Sequence, residues 1–301
     1  MILFTLSLHE QLAGTLARLG ELARGRASID RFPNLELHAT VDAPVKGQRC
    51  LLLGALAPPD EHLLATLLLA HTLGREGAQG VTALLPYLGY ARQDREEPGK
   101  SLAAAWTGEL LRASRVDRVI TVDVHSASIH RLFPIPVCSL SPAPVFAAEL
   151  TRLGFRDSTI VAPDEGALGR AEAVRRTAGI ERPLAHFTKR RTTAGIVHSM
   201  LHGEVGRQAV VVDDILDTGG TLLSACEALR QAGAEQIVIM ATHGLFTGTR
   251  WQSLPSLGVT RIYCTDTIPL PERAAAAGVA VLPVAEIMAA HLRAVRREIP
   301  A

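Results

Sequence analysis

Short aliphatic runs alternate with amphipathic segments along most of this chain, and polar turns separate them. Runs rich in Val and Ile are typical of strands buried on both faces, and apolar residues at helical spacing indicate helices. The alternation predicts an α/β protein with mainly parallel sheets flanked by helices. The predicted strands are 35–41, 116–124, 158–162, 184–187, 208–212 and 236–242, and the predicted helices are 59–75, 101–114 (with Ser101 as N-cap), 145–153 and 218–232.

Two stretches of the chain resemble each other and indicate a duplicated α/β domain. The segment Arg-Glu-Gly-Ala at 75–78 leads into an apolar run, and Gln-Ala-Gly-Ala at 231–234 leads into another. A length of 301 residues also suits two domains. We expect domains at 1–142 and 143–301, with a C-terminal helix at 284–298 that packs on the first domain.

Composition excludes several classes of protein. Hydrophobic residues make up 48% of the chain, and 31 Lys plus Arg balance 30 Asp plus Glu, so neither a disordered chain nor a nucleic-acid-coating protein is expected. The four cysteines form no CxxC pair, which suits reduced thiols. The longest uncharged run, 132–148, contains four prolines and cannot be a spanning helix. We expect a soluble cytoplasmic protein with no nucleic-acid or membrane partner.

Two common phosphate-binding motifs can be excluded. No GxG spacing occurs, so the dinucleotide fingerprint is missing. Residues 99–101, Gly-Lys-Ser, resemble the end of a P-loop, but Asp94 occupies the position that its first glycine requires.

A sharper signal is the segment 209–221. Its apolar run is expected to form a strand with adjacent carboxylates at its carboxyl end, which is where ligands bind in open α/β sheets. Glycines let the backbone approach an anion, threonines supply hydroxyls, and the next helix supplies N–H groups. Together they suit a sugar phosphate, although an Asp-rich turn that caps a helix is the simpler alternative. The residues concerned are Asp213, Asp214, Asp217, Thr218, Gly219, Gly220 and Thr221.

This segment resembles the phosphoribosyl-diphosphate-binding loop of type I phosphoribosyltransferases, which serves both base transfer and synthesis of the activated sugar. Further segments, in order along nearly the whole chain, resemble the ribose-phosphate diphosphokinase family. The resemblance implies two tandem type I phosphoribosyltransferase-like domains. The segments are Tyr-Ala-Arg-Gln-Asp-Arg at 90–95, Thr-Val-Asp-Val-His at 121–125, Pro-Asp-Glu-Gly at 163–166, Lys-Arg-Arg at 189–191, Ala-Thr-His at 241–243 and Asp-Thr-Ile-Pro-Leu at 266–270.

The resemblance implies a reaction, its ligands and their sites. The family transfers a diphosphoryl group from ATP to ribose 5-phosphate with Mg²⁺, as a homo-oligomer that we expect to be a hexamer built from dimers. The segment 209–221 would bind ribose 5-phosphate. The remaining roles carried over are Lys189 and Arg191 as the catalytic pair in a flexible loop, Phe32, Asn34, Glu36, Arg92, Gln93 and Asp94 for ATP, and His125 and Asp164 for magnesium.

Some residues depart from the family pattern. Asn34 and Leu35 stand where an aspartate and a glycine are usual, which puts the choice of nucleotide base in question. Nothing near Ala301 matches the C-terminal segment of the regulated members, so we expect no allosteric ADP site. Two alternatives stay open: a base-transferring phosphoribosyltransferase, which would need one such domain, and a non-catalytic synthetase-like regulatory protein.

Overall fold

The computed structural model describes residues 1–191 and 197–298, without the side chains of 189–191, 197–199, 297 and 298. The chain forms two compact units. The first unit contains Met1–Leu140 and the last helix, Ala285–Glu298, and the second contains Ser141–Val284. The junction therefore lies two residues before the predicted boundary, and the last helix belongs to the first unit because it packs against the helix Glu10–Gly20.

The first unit is built on a six-stranded parallel sheet with the order β2-β1-β5-β6-β7-β8, and β3 and β4 form a separate antiparallel hairpin. The strands are β1 (Ile2–Thr5), β2 (Ala23–Arg24), β3 (Arg26–Arg31), β4 (Leu37–Asp42), β5 (Arg49–Leu53), β6 (Gly80–Leu85), β7 (Val116–Val122) and β8 (Val137–Leu140). The helices are α1 (Glu10–Gly20), α2 (Glu61–Arg75), α3 (Ala103–Ala113), α4 (Ile129–Leu132) and α9 (Ala285–Glu298), with a 3-10 helix at Ser7–His9.

The second unit contains a seven-stranded sheet with the order β11-β10-β9-β12-β13-β14-β15, in which the β10–β11 pair is antiparallel and the other pairs are parallel. The strands are β9 (Thr159–Ala162), β10 (Ala185–Arg191), β11 (Val197–His202), β12 (Gln208–Leu216), β13 (Gln236–Gly244), β14 (Val259–Thr265) and β15 (Ala280–Leu282). The helices are α5 (Ala143–Leu153), α6 (Leu168–Thr177), α7 (Gly220–Gln231) and α8 (Glu272–Ala276), with 3-10 helices at Glu165–Ala167 and Arg250–Leu257.

The two units share one strand topology. The order β1-β5-β6-β7-β8 in the first corresponds to β9-β12-β13-β14-β15 in the second, and an antiparallel hairpin precedes β5 and β12 alike. Even an irregularity is repeated: the register shifts between Val81 and Thr82 in β6 and between Ile237 and Val238 in β13. The central strands carry fully buried aliphatic side chains because helices cover both sheet faces. The α/β fold with parallel sheets flanked by helices, predicted from the alternating pattern, is confirmed.

Several predicted element ends were wrong, and long-range pairing explains them. Strand β12 continues beyond the predicted end at 212 because β13 pairs with it as far as Leu216. Strand β10 continues beyond 187 to Arg191 because β11 pairs with it, so residues 189–191 lie in a strand and not in a loop. The strand predicted to begin at Leu35 begins at Leu37, after the hairpin turn.

Ser101 is not a helix cap. Leu102 occupies the N-cap position of α3 and makes no capping hydrogen bond. The Ser101 hydroxyl donates instead to the side-chain oxygen of Gln93. No helix among the described residues is long and apolar enough to cross a membrane.

Candidate active site

Two adjacent carboxylates lie near the carboxyl end of β12, in the second unit. Asp213 pairs in register with Ala241 of β13, so the carboxylates belong to the strand itself and not to the loop after it. Asp214 is buried, with 8% of its surface exposed, and a guanidinium nitrogen of Arg170 on α6 lies 3.8 Å from its Oδ2. The backbone N–H of Asp214 donates to Oδ1 of Asp213 at 2.9 Å.

This arrangement raises the pKa of Asp213 well above its usual range. Burial is the main cause, the neighbouring Asp214 carboxylate adds to it, and Asp164 contributes in the same direction, while Arg170 acts against them. A carboxyl group held in this way gains from a ligand that donates hydrogen bonds or brings positive charge. The hydroxyls of a sugar are donors of that kind.

The loop after β12 forms a cradle at the start of α7. Gly219 is the N-cap of α7 and has a φ of +85°, in the left-handed region that favours glycine. A Cβ at this position would lie 2.8 Å from Cα of Trp251, so a larger residue does not fit without a shift. The Asp217 carboxylate accepts a hydrogen bond from the Thr247 hydroxyl. The first turn of α7 has backbone N–H groups without partners inside the helix, and anion binding by residues 218–221 stays a prediction.

Asp164 follows β9 and lies at the same edge of the second sheet. Its Oδ1 accepts from the backbone N–H of Ala167 at 3.2 Å and caps the 3-10 helix Glu165–Ala167. The electrostatic effect of Asp164 on Asp213 shows that the two carboxylates belong to one acidic region. The side chain therefore has a structural role as a cap, and it is also part of the acidic site.

The backbone of Lys189 and Arg191 extends past this edge. Strand β9 pairs with β10 only as far as Ala162, opposite His186. Residues 189–191 continue about 3.3 Å per residue beyond that point, paired only with β11. The side chains of Lys189 and Arg191 lie outside the described part of the chain, as does the whole of 192–196.

In the first unit, Arg92, Gln93 and Asp94 lie between β6 and α3, at the carboxyl edge of the sheet. Arg92 and Gln93 are exposed, and Asp94 is half-buried. The Ser128 hydroxyl donates to Oδ2 of Asp94 at 2.6 Å. Burial alone would raise the pKa of Asp94, but the hydrogen bonds from Ser128 and Ser126, together with the charge of His125, lower it overall.

His125 is thus in electrostatic contact with Asp94 in the first unit. It follows β7 and Asp123, whose φ is +49°. His125 follows the end of β7 by three residues, at the carboxyl edge of the sheet. The described residues include no group of three or more His, Cys, Asp or Glu side chains arranged to hold a metal ion.

Phe32, Asn34 and Glu36 occupy the turn of the β3–β4 hairpin. The Asn34 side-chain oxygen accepts from the backbone N–H of Glu36 at 3.3 Å, which closes the turn. Leu35 has a φ of +71°, where a glycine would be unstrained. Phe32 and Leu35 are exposed by 50% and 70%. The hairpin therefore presents two large apolar side chains at its tip.

Sequence reasoning missed three partners of the site residues. Arg170 pairs with Asp214, Thr247 donates to Asp217, and Ser128 donates to Asp94. Arg170 follows Asp164 by six residues, which is a weak signal, and the helix α6 that carries it was not predicted. No spacing rule connects any of the three to its carboxylate, because each pair is joined only by the fold.

Comparisons with known proteins agree with the topology. The family model described as the N-terminal domain of ribose phosphate pyrophosphokinase matches residues 1–114, and a phosphoribosyl transferase domain model matches residues 146–249. The ribose-phosphate pyrophosphokinase of Chromobacterium violaceum is 33% identical over 304 residues, covering 99% of this chain and 92% of that protein. The ribose-phosphate pyrophosphokinase of Pasteurella multocida is 33% identical over 303 residues, covering 98% and 96%.

A solved structure extends the likeness to three dimensions. The phosphoribosylpyrophosphate synthetase from Mycobacterium smegmatis superposes with a TM-score of 0.88 at 29% identity, covering 99% of both chains. The family resemblance and the two tandem phosphoribosyltransferase-like domains, both expected from the motifs, are confirmed. The chain is an enzyme that belongs to the ribose-phosphate pyrophosphokinase family.

Proposed function

We propose that this enzyme transfers the β,γ-diphosphoryl group of ATP to the 1-hydroxyl of ribose 5-phosphate, with Mg²⁺. The anomeric oxygen forms a bond to the β-phosphorus, and the bond from that phosphorus to the α,β-bridging oxygen breaks. The products are AMP, 5-phosphoribosyl 1-diphosphate and the proton released by the hydroxyl. Positioning and electrostatics supply most of the catalysis in such a transfer.

The observation that carries the proposal is the cradle at the carboxyl end of β12. Gly219 is the N-cap of α7 in a conformation that only glycine adopts without strain, and one buried and two half-buried carboxylates precede it in the chain, those of Asp214, Asp213 and Asp217. The N–H groups at the start of α7 suit the 5-phosphate, and Thr218 and Thr221 would add hydroxyl donors. Asp213, Asp214 and Asp217 would accept hydrogen bonds from ribose hydroxyls, which would offset the burial that is the main cause of the raised pKa of Asp213.

The nucleotide is assigned to the first unit. Arg92 and Gln93 are exposed donors at the sheet edge, and the hydrogen bonds from Ser128 and Ser126 keep Asp94 in its charged form. Phe32 offers an exposed ring for stacking on a base, while Asn34 and Glu36 offer polar groups at the hairpin tip. Because the Asn34 oxygen is engaged by Glu36 N–H, its amide donors remain for the base.

Lys189 and Arg191 are assigned the catalytic role. Their strand extends past the end of β9, on the side where Asp164 lies. Cations held there would meet the negative charge that develops on the transferring group, which is stabilisation that acts in the transition state.

Asp164 and His125 are the proposed protein contacts to magnesium. Asp164 fits this role, because a carboxylate is a ligand that Mg²⁺ prefers and one oxygen is used by the Ala167 cap. His125 supplies nitrogen and depends more on the family resemblance. Bound magnesium would neutralise charge on the phosphate oxygens. The acidic residues of the second unit would orient the sugar hydroxyl that attacks the phosphorus.

The proposed assembly is a homo-oligomer, a hexamer built from dimers with composite active sites. The exposed Phe32 and Leu35 at the hairpin tip support it, since a hairpin that serves a neighbouring subunit needs apolar contacts there. Sedimentation at assay concentration tests this. A fully active monomer would contradict it.

The reaction itself is tested by incubating the protein with ATP, ribose 5-phosphate and Mg²⁺ and quantifying both products. We expect AMP and phosphoribosyl diphosphate in equal amounts, and strongly reduced use of ribose 5-phosphate in Asp217→Asn. Glu235→Gln, at the opposite end of the sheet beside β13, is the matched loss of one carboxylate and should behave as wild type. Release of ADP, or of inorganic phosphate with no sugar product, would contradict the proposal.

A further inference from the structure

The short 3-10 helix Arg250–Leu257 packs against α7 and borders the cradle. It is anchored by Trp251, whose side chain is 1% exposed and stacks edge-on against Phe246 with ring centroids 5.0 Å apart. The backbone of Trp251 lies directly over Gly219. The residue before Trp251 is therefore held beside the cradle by a buried aromatic anchor.

That residue is Arg250, and its side chain reaches the first residue of α7. Nη1 lies 3.3 Å, and Cζ 3.7 Å, from the point where a Cβ of Gly220 would be. The hydroxyl of Thr218 lies 3.9 Å from the same point. A guanidinium and a hydroxyl thus converge on the space that the missing side chain of Gly220 leaves open.

The charges around the cradle show what a guanidinium would add there. Asp213, Asp214 and Asp217 bring negative charge to the sugar side, and Arg170 lies within ion-pair distance of Asp214. Within the described residues of this unit, Arg250 forms no ion pair with a carboxylate. A phosphate monoester beside three carboxylates needs a cation, and arginine binds phosphate through parallel N–H donors.

We propose that Arg250 binds the 5-phosphate of the sugar substrate, together with Thr218 and the backbone at the start of α7. The inference rests on the proposed function and deepens it, because it names a side chain that selects phosphorylated sugars. The contact exists in the bound substrate and in the transition state alike. It therefore changes KM for the sugar phosphate and leaves kcat almost unaffected.

The test compares Arg250→Ala and Arg250→Lys with wild type in steady-state assays. Loss of a charge-assisted hydrogen bond should raise KM for ribose 5-phosphate about 10- to 100-fold in Arg250→Ala, with KM for ATP within about twofold. Arg250→Lys keeps the positive charge but lacks the paired N–H donors of the guanidinium, so its KM for ribose 5-phosphate should lie between those of wild type and Arg250→Ala. Arg156→Ala removes an exposed arginine before β9, at the opposite end of the sheet, and should match wild type.

Calorimetric titration with ribose 5-phosphate alone separates this inference from the proposed function. If wild type turns over and Arg250→Ala matches it, or matches Arg156→Ala, the inference is overturned and the proposed function stands. If wild type forms no product, the proposed function fails. In that case weaker ribose 5-phosphate binding by Arg250→Ala than by wild type still supports the Arg250 contact, and equal or undetectable binding overturns it.

Discussion

Replacing Gly219 by alanine should destabilise the second unit by about 2 to 4 kcal/mol, as the net result of backbone strain, a smaller entropy gain and crowding. The φ of +85° lies in the left-handed region of backbone conformation, which costs an L-residue about 1 to 2 kcal/mol. The lower chain entropy of alanine returns about 0.4 to 1 kcal/mol. The rest comes from crowding of the new methyl group against Trp251.

The crowding can be judged from the distances. A Cβ at residue 219 would lie 2.8 Å from Cα and Cβ of Trp251 and 3.0 Å from its backbone nitrogen. Cα and the nitrogen belong to the backbone of the anchored Trp251 and Cβ is bonded directly to it, so none of the three atoms can rotate away. Overpacking of this kind typically costs about 1 to 3 kcal/mol.

Two other glycines provide matched controls. Gly233 has a φ of +96° with nothing within 4 Å of an added Cβ, so Gly233→Ala carries only the backbone effect, about 1 kcal/mol after the entropy gain. Gly220 has no positive φ, and its nearest neighbour is the movable end of Arg250. Gly220→Ala should change the free energy of unfolding by less than about 1 kcal/mol.

The assay is urea unfolding followed by tryptophan fluorescence. The chain has two tryptophans, and Trp106→Phe would leave the buried Trp251 as the reporter of the second unit. All three alanine variants are compared in that background. If Gly219→Ala and Gly233→Ala lower the free energy of unfolding equally, the crowding argument is refuted. If Gly219→Ala lowers it by less than Gly220→Ala does, both the strain and the crowding arguments are refuted.

Four further outcomes are expected. Asp213→Asn should be more stable than wild type at pH 7, because the folded state raises the pKa of Asp213 and wild type therefore loses stability as the pH rises from the ordinary carboxyl range through the raised value. The difference in stability between the two proteins should vanish below about pH 3, where the carboxyl is protonated in both the folded and the unfolded state. A difference that persists in acid would contradict this cause. Lys189→Ala and Arg191→Ala should each lower kcat about 10²- to 10³-fold, while ATP binding and the melting temperature change little. The factor by which the double variant lowers kcat should be smaller than the product of the two single factors. A near-normal kcat would show that residues 189–191 take no part in catalysis. Leu35→Gly should be more stable than Leu35→Ala by about 1 kcal/mol in thermal unfolding, because φ at residue 35 is +71°; the reverse order would contradict the strain. In a competition assay, Asn34→Asp should sharpen selection for ATP over other nucleoside triphosphates, and strict ATP use by the unmodified enzyme would defeat this idea.

The strands of both sheets could be predicted because buried parallel strands need uninterrupted aliphatic runs, and 208–212 and 236–242 show them clearly. Their true ends could not. Asp213 and Asp214 read as a break in an apolar run, yet β13 continues alongside them and keeps them in the sheet. The basic run at 189–191 reads as a solvated loop, yet β11 pairs with it. In both cases the deciding partner is distant in sequence.

Some residues of the candidate site could likewise be predicted from the sequence, and others could not. Asp217 and the glycines of the cradle were predictable, since glycines allow close approach to an anion, a carboxylate accepts hydrogen bonds from sugar hydroxyls, and these residues follow one another in the chain. Arg170 and Arg250 were not, because each reaches the cradle from another element and resembles any other arginine of an arginine-rich chain. Local chemistry was visible in the sequence, and chemistry assembled by packing was not.

The last helix has a consequence for the order of events during synthesis. Helix α9 belongs to the first unit, where Arg293 donates to the backbone carbonyl of Leu19 at 2.6 Å and Leu292 is buried. The second unit, by contrast, is one continuous stretch of chain. On the ribosome, where domains generally fold from the N-terminus onward, the order of completion would here be inverted. The first unit needs helix α9 for its completion, whereas the second unit needs no part of the chain beyond Val284.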